Sequence, residues 1–266
     1  VPHEAEQRAA RRRRWIVATV VALVALAGGA VNVLLVDRAL SGRLTNPGQG
    51  VPRKYTVDER LAQFGSAVAA RLAPDFRRAG LPYPPREIAL IAFKDQTRLE
   101  LYGRAASDEE WRFVREYAVE GASGTLGPKL AAGDRQVPEG IYRAELLNAN
   151  SRFHLSIRLD YPNEFDRRMA AAEGRSNLGS DIMIHGGSSS VGCLAMGDSA
   201  AEELFVLAAL VGKENVRIVI SPTDFHGGVA AAITALSLPV WAAELYATIQ
   251  SELQPFGRSP RRQAAR

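Results

Sequence analysis

The spacing of apolar and polar positions predicts one unbroken apolar stretch, one amphipathic helix, a run of short strands and a second helical region. Residues 15–36 are 22 positions without a charge. A bilayer core takes about 20 apolar residues as a helix, so this stretch can span a membrane. Residues 37–56 contain Gly42, Pro47, Gly48, Gly50 and Pro52 and read as a linker. Asp58 is the predicted cap of a helix whose Leu61, Phe64, Val68 and Leu72 share one face, and Pro74 closes or bends it. Pro82, Pro84 and Pro85 form a rigid joint. Short strands are predicted at 88–93, 111–119, 141–142, 154–159 and 216–220, with a half-buried, alternating one at 98–102. Between them, residues 121–140 hold five glycines and two prolines and read as a long loop, a length that commonly carries function. Ser199 and Glu202 have capping-box spacing ahead of an apolar face of Leu204, Leu207, Ala208 and Val211. Residues 229–253 are apolar and helical in pattern, split by Pro239. Glu244 and Glu252 argue against a second span, so this segment docks on the domain or lies on a membrane surface.

Charge sharpens the reading of the ends. The chain of 266 residues has a net charge of +4, concentrated in Arg8 and Arg11 to Arg14 before the apolar stretch and in Arg258, Arg261, Arg262 and Arg266 at the other end. The middle is near balance, which leaves little electrostatic case for nucleic acid. The upstream arginines would hold the N-terminus in the cytoplasm. Ala25-Leu26-Ala27 before Gly28 resembles a signal-peptidase site, which would make 1–27 a cleaved leader; the apolar run continues to Val36, which favours an uncleaved anchor. Arg13-Arg14 is a poor match to a twin-arginine signal. Each reading puts the remainder of the chain outside the cytoplasm.

In that setting the cysteine count becomes informative. Exported proteins commonly pair their cysteines, and Cys193 is alone. His185 lies eight residues upstream, at the end of the apolar run from Asp181, and the glycines and serines between them can fold back to bring imidazole to sulfur. A neighbouring imidazole lowers a thiol's pKa by taking its proton. Gly192 lets the backbone approach a substrate carbonyl, and the Gly192 and Cys193 amides are candidate oxyanion donors. The carbonyl of Gly186 or Gly187 could orient the imidazole. Against this stands the plainer view that a lone cysteine is usually a small buried hydrophobe and a lone histidine a structural one. Metal binding is a weak rival, with His3, His154, His185 and His226, one cysteine and no His-Glu-x-x-His pattern. No phosphate loop or dinucleotide fingerprint occurs, so neither a metal nor a cofactor is expected. Asp160 and Asp166 read as part of a solvated turn around Tyr161, Pro162 and Asn163 rather than as a catalytic pair.

Ile184-His185-Gly186 with Ser190-Val191-Gly192-Cys193 resembles the signature of YkuD-type L,D-transpeptidases, closest to the YafK-like murein subgroup. Leu126 to Lys129 with Gly133 to Tyr142 is similar to that subgroup's long loop. Asp160 to Asn163 with Asp166 and Arg167, and Ala195, Met196 and Asp198 after the cysteine, continue the likeness. It runs from about 82 to 224, with weaker similarity back to 58. Val191 stands where most members of the wider family have a second histidine, and the His-to-Cys loop is shorter than in most; both features fit the subgroup.

The resemblance implies a β-rich α+β fold, an L,D-transpeptidase-like β-sandwich with flanking helices, here preceded by one N-terminal transmembrane helix. It divides the chain into a basic segment (1–14), an anchor or uncleaved signal (15–36), a linker and amphipathic helix (37–81), a catalytic domain (82–225) and a helical, basic tail (226–266). It implies Cys193 as nucleophile, His185 as base, Gly192 and Cys193 amides as oxyanion donors, with Gly186 and Ser190 shaping the loop. Lys129 and Arg167 become candidates to meet the acidic stem peptide. The implied reaction is transfer of a peptidoglycan stem acyl group through a Cys thioester. Some YafK-like members resemble hydrolases that release a wall-linked lipoprotein, and both outcomes stay open. The implied place is the bacterial inner membrane, single-pass, with the catalytic domain facing the periplasm. A non-catalytic wall-binding module is the rival of another class. A redox sensor is disfavoured by the lack of a second cysteine.

Overall fold

The computed structural model describes residues 53–225 and 237–257. The expected anchor at 15–36, nearly all of the linker and the start of the C-terminal helical segment lie outside them. Among the described residues no helix is long and apolar enough to cross a membrane. The compact unit begins at Lys54.

Helix α1, Val57–Arg78, carries the expected face: Val68 and Leu72 are fully buried. Its cap is Thr56, not Asp58. The Thr56 hydroxyl accepts from the Glu59 amide and the Glu59 carboxylate accepts from the Thr56 amide. Asp58 falls in the first turn, where its charge meets the positive end of the helix dipole. Pro74 does not close the helix, which runs on to Arg78. Phe76, beyond the proline, is fully buried, and that packing offsets the hydrogen bond the proline removes.

Among the described residues nine strands follow: β1 (Glu87–Phe93), β2 (Arg98–Arg104), β3 (Arg112–Ala118), β4 (Gly121–Ala122), β5 (Gly140–Ser151), β6 (His154–Leu159), β7 (Met183–His185), β8 (Leu194–Ala195) and β9 (Val216–Ser221). They form one sheet in the order β3-β2-β1-β9-β5-β6-β7-β8-β4. The β1–β9 and β7–β8 pairs are parallel and the rest antiparallel. In hydrogen-bonding terms the expected sandwich is thus one continuous mixed sheet with flanking helices. Its halves are joined through β5, which pairs with β9 over residues 140–143 and with β6 beyond Ala144, shifting register between Ala144 and Leu146. An irregularity of that kind lets one strand serve two parts of a bent sheet. The sequence pattern showed only the first two apolar residues of this twelve-residue strand.

Among the described residues three further α-helices flank the sheet: α2 (Glu164–Ala172), α3 (Asp198–Val211) and α4 (Ala242–Leu253). Residues of α1 and α3 share a core cluster with Ile88, Leu90, Ile218 and Ile220 from one face. The alternate residues Ala89, Ile91, Phe93 and Val219 meet Leu245, Tyr246, Ile249 and Leu253 of α4. The C-terminal helix therefore docks on the domain through its apolar face. This second cover explains why β2 is buried on both sides instead of half-buried. Tyr102 donates to the Gly257 carbonyl at 2.7 Å and packs against Phe256, and Arg98 and Glu100 are buried as an ion pair.

Two local expectations fail. The Ser199–Glu202 capping box is absent: α3 starts after Gly197 with no side-chain cap, and Glu202 pairs instead with Arg71 and His154. The stretch around Asn163 is a helix start, not a solvated turn. Asn163 and Asp166 form the capping box of α2, Tyr161 is buried, and burial lifts the Asp166 carboxyl to about 6.

Candidate active site

The site is built on two short strands of the far half of the sheet, β7 and β8. β7 pairs with β6 (Ser156↔His185, Arg158↔Met183) and with β8 (Ile184↔Leu194, His185↔Ala195). Ile182, Ile184, Leu194 and Met196 fill the core and anchor both strands. The loop between them folds back as its composition predicts. Cys193, just before β8, lies beside the start of β7, with its sulfur 3.7 Å from the Asp181 carbonyl oxygen and accepting from the Met183 amide. His185 is two residues further along the same strand.

The imidazole is held on several sides. Its Nδ1 is 2.6 Å from the Gly186 carbonyl oxygen, which selects Gly186 over Gly187 as the orienting group. With the proton on Nδ1, Nε2 keeps a free lone pair. Phe153 stacks on the ring at 4.6 Å, and the residue is buried. The Gly186 amide is spent on the Phe153 and Leu155 carbonyls, and the Gly187 amide donates to Asp198 at 2.9 Å. A Cβ on Gly186 would lie 2.5 Å from the Asp198 carboxylate and 2.8 Å from the Phe153 carbonyl oxygen, so glycine is needed there for space. Asp198, as the first residue of α3, thus fixes the loop from outside.

The thiol differs from expectation. No hydrogen bond among the described residues joins it to the imidazole. Burial pushes its pKa up and the Asp181 charge adds to this, against the Met183 amide and the Lys129 ammonium, which pull it down. The net direction is upward, so the surroundings favour the neutral thiol over the thiolate.

The predicted oxyanion donors are also engaged. Gly192, at φ +94°, donates its amide to the Ser123 hydroxyl at 2.6 Å. The Cys193 amide donates to the Ser190 hydroxyl at 3.1 Å, and that hydroxyl donates back to the Cys193 carbonyl at 2.6 Å. The Ser190 hydroxyl thus satisfies both backbone groups of Cys193. The two candidate oxyanion donors are satisfied by two serine hydroxyls.

Both candidate substrate-binding cations have partners within the chain. Lys129 is buried, paired with Asp134 and bonded to the Ala131 carbonyl at 2.8 Å, so it closes its own loop. Arg167 is exposed on α2 and donates to the Pro162 carbonyl one turn back. Among the described residues no group of three or more His, Cys, Asp or Glu side chains gathers as a metal site.

Sequence reasoning missed the tether beneath the long loop. Buried Glu139 accepts from the Gly127 amide and the Tyr246 hydroxyl, both at 2.7 Å, and pairs with Lys94 at 2.9 Å. Lys94 also donates to the Gly127 and Val137 carbonyls, each at 2.9 Å. Residues far apart in the chain meet here, and no local spacing announces them. A cleft of about 720 Å³ also opens along Gly187 and Ser188, walled by Arg115, Tyr117, Glu120, Asp198 and Glu203.

No family model matches the chain. Over 135 residues it is 36% identical to the protein named "Putative L,D-transpeptidase YafK" of Escherichia coli K12, covering 49% of this chain and 52% of that one. The counterpart from Escherichia coli O157:H7 matches equally. The chain spans about half the length of these curated relatives. Among solved structures, the helical cell shape determining protein Pgp2 of Campylobacter jejuni is 22% identical at a TM-score of 0.41, covering 52% of this chain and 48% of that one. L,D-transpeptidase 1 of Mycobacterium tuberculosis is 14% identical at 0.29, covering 50% and 61%. Scores this low give neither structural likeness any weight for mechanism or substrate. The YafK-like resemblance read from the residues is borne out by the curated relatives: over the matched half, this chain is similar to L,D-transpeptidase YafK.

Proposed function

We propose that this chain is a cysteine-dependent acyltransferase that takes its acyl group from a peptidoglycan stem peptide, with Cys193 as nucleophile and His185 as base. One observation carries the reading. The chain's single thiol lies against the strand that carries His185, and the Gly186 carbonyl fixes that ring with Nε2 free. His185 Nε2 takes the thiol proton as the sulfur attacks the peptide carbonyl carbon. The C–S bond forms, the C–N bond breaks, and the imidazolium returns the proton to the leaving amine. An incoming amine then opens the thioester, its proton passing through His185, and leaves the thiol free. Water in place of the amine gives hydrolysis, including release of a wall-linked lipoprotein. The name of the curated relatives favours transfer. The substrate demands a domain on the outer side of the cytoplasmic membrane, the side to which residues 1–36 would deliver it.

Cys193→Ala should abolish the covalent mass adduct formed with a carbapenem-type acylating probe; full labelling of the variant would rule the mechanism out. Incubation with purified muropeptides then separates the outcomes, since new direct cross-links mean transfer and shortened or released stems mean hydrolysis. A wall-binding module without turnover would instead bind sacculi equally well after thiol alkylation.

A further inference from the structure

The hydroxyl on the Gly192 amide belongs to neither the loop nor the strands that build the nucleophile's turn. Ser123 follows directly on β4, which pairs with β8 (Gly121↔Ala195, Ala122↔Leu194). It is brought there by the 121–140 loop, in which its hydroxyl donates to the Arg135 carbonyl at 2.7 Å. Its oxygen thereby has its lone pairs aimed at Gly192 and accepts that amide at 2.6 Å. Gly192 is buried at a positive φ, and a Cβ there would lie 3.3 Å from the Gln136 carbonyl oxygen of the same loop.

We propose that Ser123 is a positioning residue that latches the Gly192 amide in the free protein and sets the rate at which carbonyl substrates acylate Cys193. The inference rests on the function proposed above. When the Cys193 sulfur attacks a carbonyl carbon, the electron pair of the C=O bond moves onto oxygen, and that oxygen needs donors. The Gly192 amide becomes one of them by leaving Ser123, because an oxyanion is a stronger acceptor than a hydroxyl. The latch stabilises the free state more than the transition state, so it slows acylation. Only a substrate that reaches far enough along the 121–140 loop to displace Ser123 escapes this cost, which makes the loop a selector of acyl donors.

The test compares two reactions at the same sulfur in the full chain. Opening of a carbapenem ring forms a C–S bond through an oxyanion, with the ring C–N bond breaking and its nitrogen taking the proton. Alkylation by iodoacetamide displaces iodide at a saturated carbon and forms no oxyanion. Ser123→Ala should raise the ratio of the acylation rate to the alkylation rate by about 2- to 10-fold, the range expected for one neutral hydrogen bond. Ser123→Thr, which keeps the hydroxyl, should restore the wild-type ratio. A merely structural role would change both rates together and leave the ratio fixed; that result, or a fall in the ratio, overturns the latch. A wild-type chain that is alkylated at Cys193 but never acylated overturns the function proposed above and the latch with it.

Discussion

At the scale of single residues, the thiol's environment is the main departure from what its neighbours in sequence suggest. The Gly186 carbonyl orients the His185 ring, yet burial and Asp181 raise the pKa of the Cys193 thiol. The charge of Asp181 disfavours the thiolate, so removing it should ease ionisation. Asp181→Asn is a suitable change, because Asp181 sits at φ +58°, a conformation asparagine also accepts. The rate of iodoacetamide alkylation against pH should show a midpoint above that of a free cysteine peptide in the wild type. The midpoint should move down in Asp181→Asn. An unmoved midpoint would mean that the Asp181 charge does not reach the sulfur.

At the scale of elements, the long loop and α4 act together through a buried carboxylate. Glu139 is 1% exposed and bound by Lys94, Tyr246 and the Gly127 amide. Tyr246→Phe removes one donor and leaves a buried oxygen unpaired, which costs about 1–3 kcal/mol. Lys94→Met removes the counter-charge itself and should cost more, about 3–5 kcal/mol. Both changes should show as lower melting temperatures, with Lys94→Met the lower. Because Glu139 holds Gly127, limited proteolysis within 121–140 should also quicken in both. Melting losses without faster cleavage in that loop would confine the tether to stability. The same element logic explains α1 and α2. Each begins at a reciprocal cap three residues long, Thr56 with Glu59 and Asn163 with Asp166, and only the side-chain bonds tell which of several polar residues serves.

At the scale of the whole molecule, Asp166 ties stability to pH. Its folded value of about 6 lies above the ordinary range near ~4, so between those values the folded state binds more protons than the unfolded state. Stability supplied by this group is present at low pH and is lost as pH rises toward and through about 6, by roughly 2–3 kcal/mol in all. Asp166→Asn cannot titrate. The difference between wild-type and variant unfolding free energies, measured by urea melts from pH 4 to 7, should therefore slope in that direction. A flat difference would place Asp166 in a more solvated setting than its burial under Tyr142 and Tyr161 indicates.

The boundary between what could and could not be read in advance is a physical one. Strands β1 and β9, the apolar face of α1, and the loop joining His185 to Cys193 were legible because each depends on residues a few positions apart: alternation, helical spacing, and the flexibility of glycine and serine. The amino-acid sequence alone thereby determined that one thiol and one imidazole share a strand–loop–strand unit. The tertiary structure decided everything that needs a distant partner. It covered the second face of β2 with the C-terminal segment, extended β5 across two halves of the sheet, and turned Lys129 to Asp134. It also set Ser123, some seventy positions upstream, on the Gly192 amide beside Cys193. Hydrogen bonds and burial act through space while a pattern of residues reports only along the chain, so the unit that carries His185 and Cys193 was legible and the partners of its amides and thiol were not.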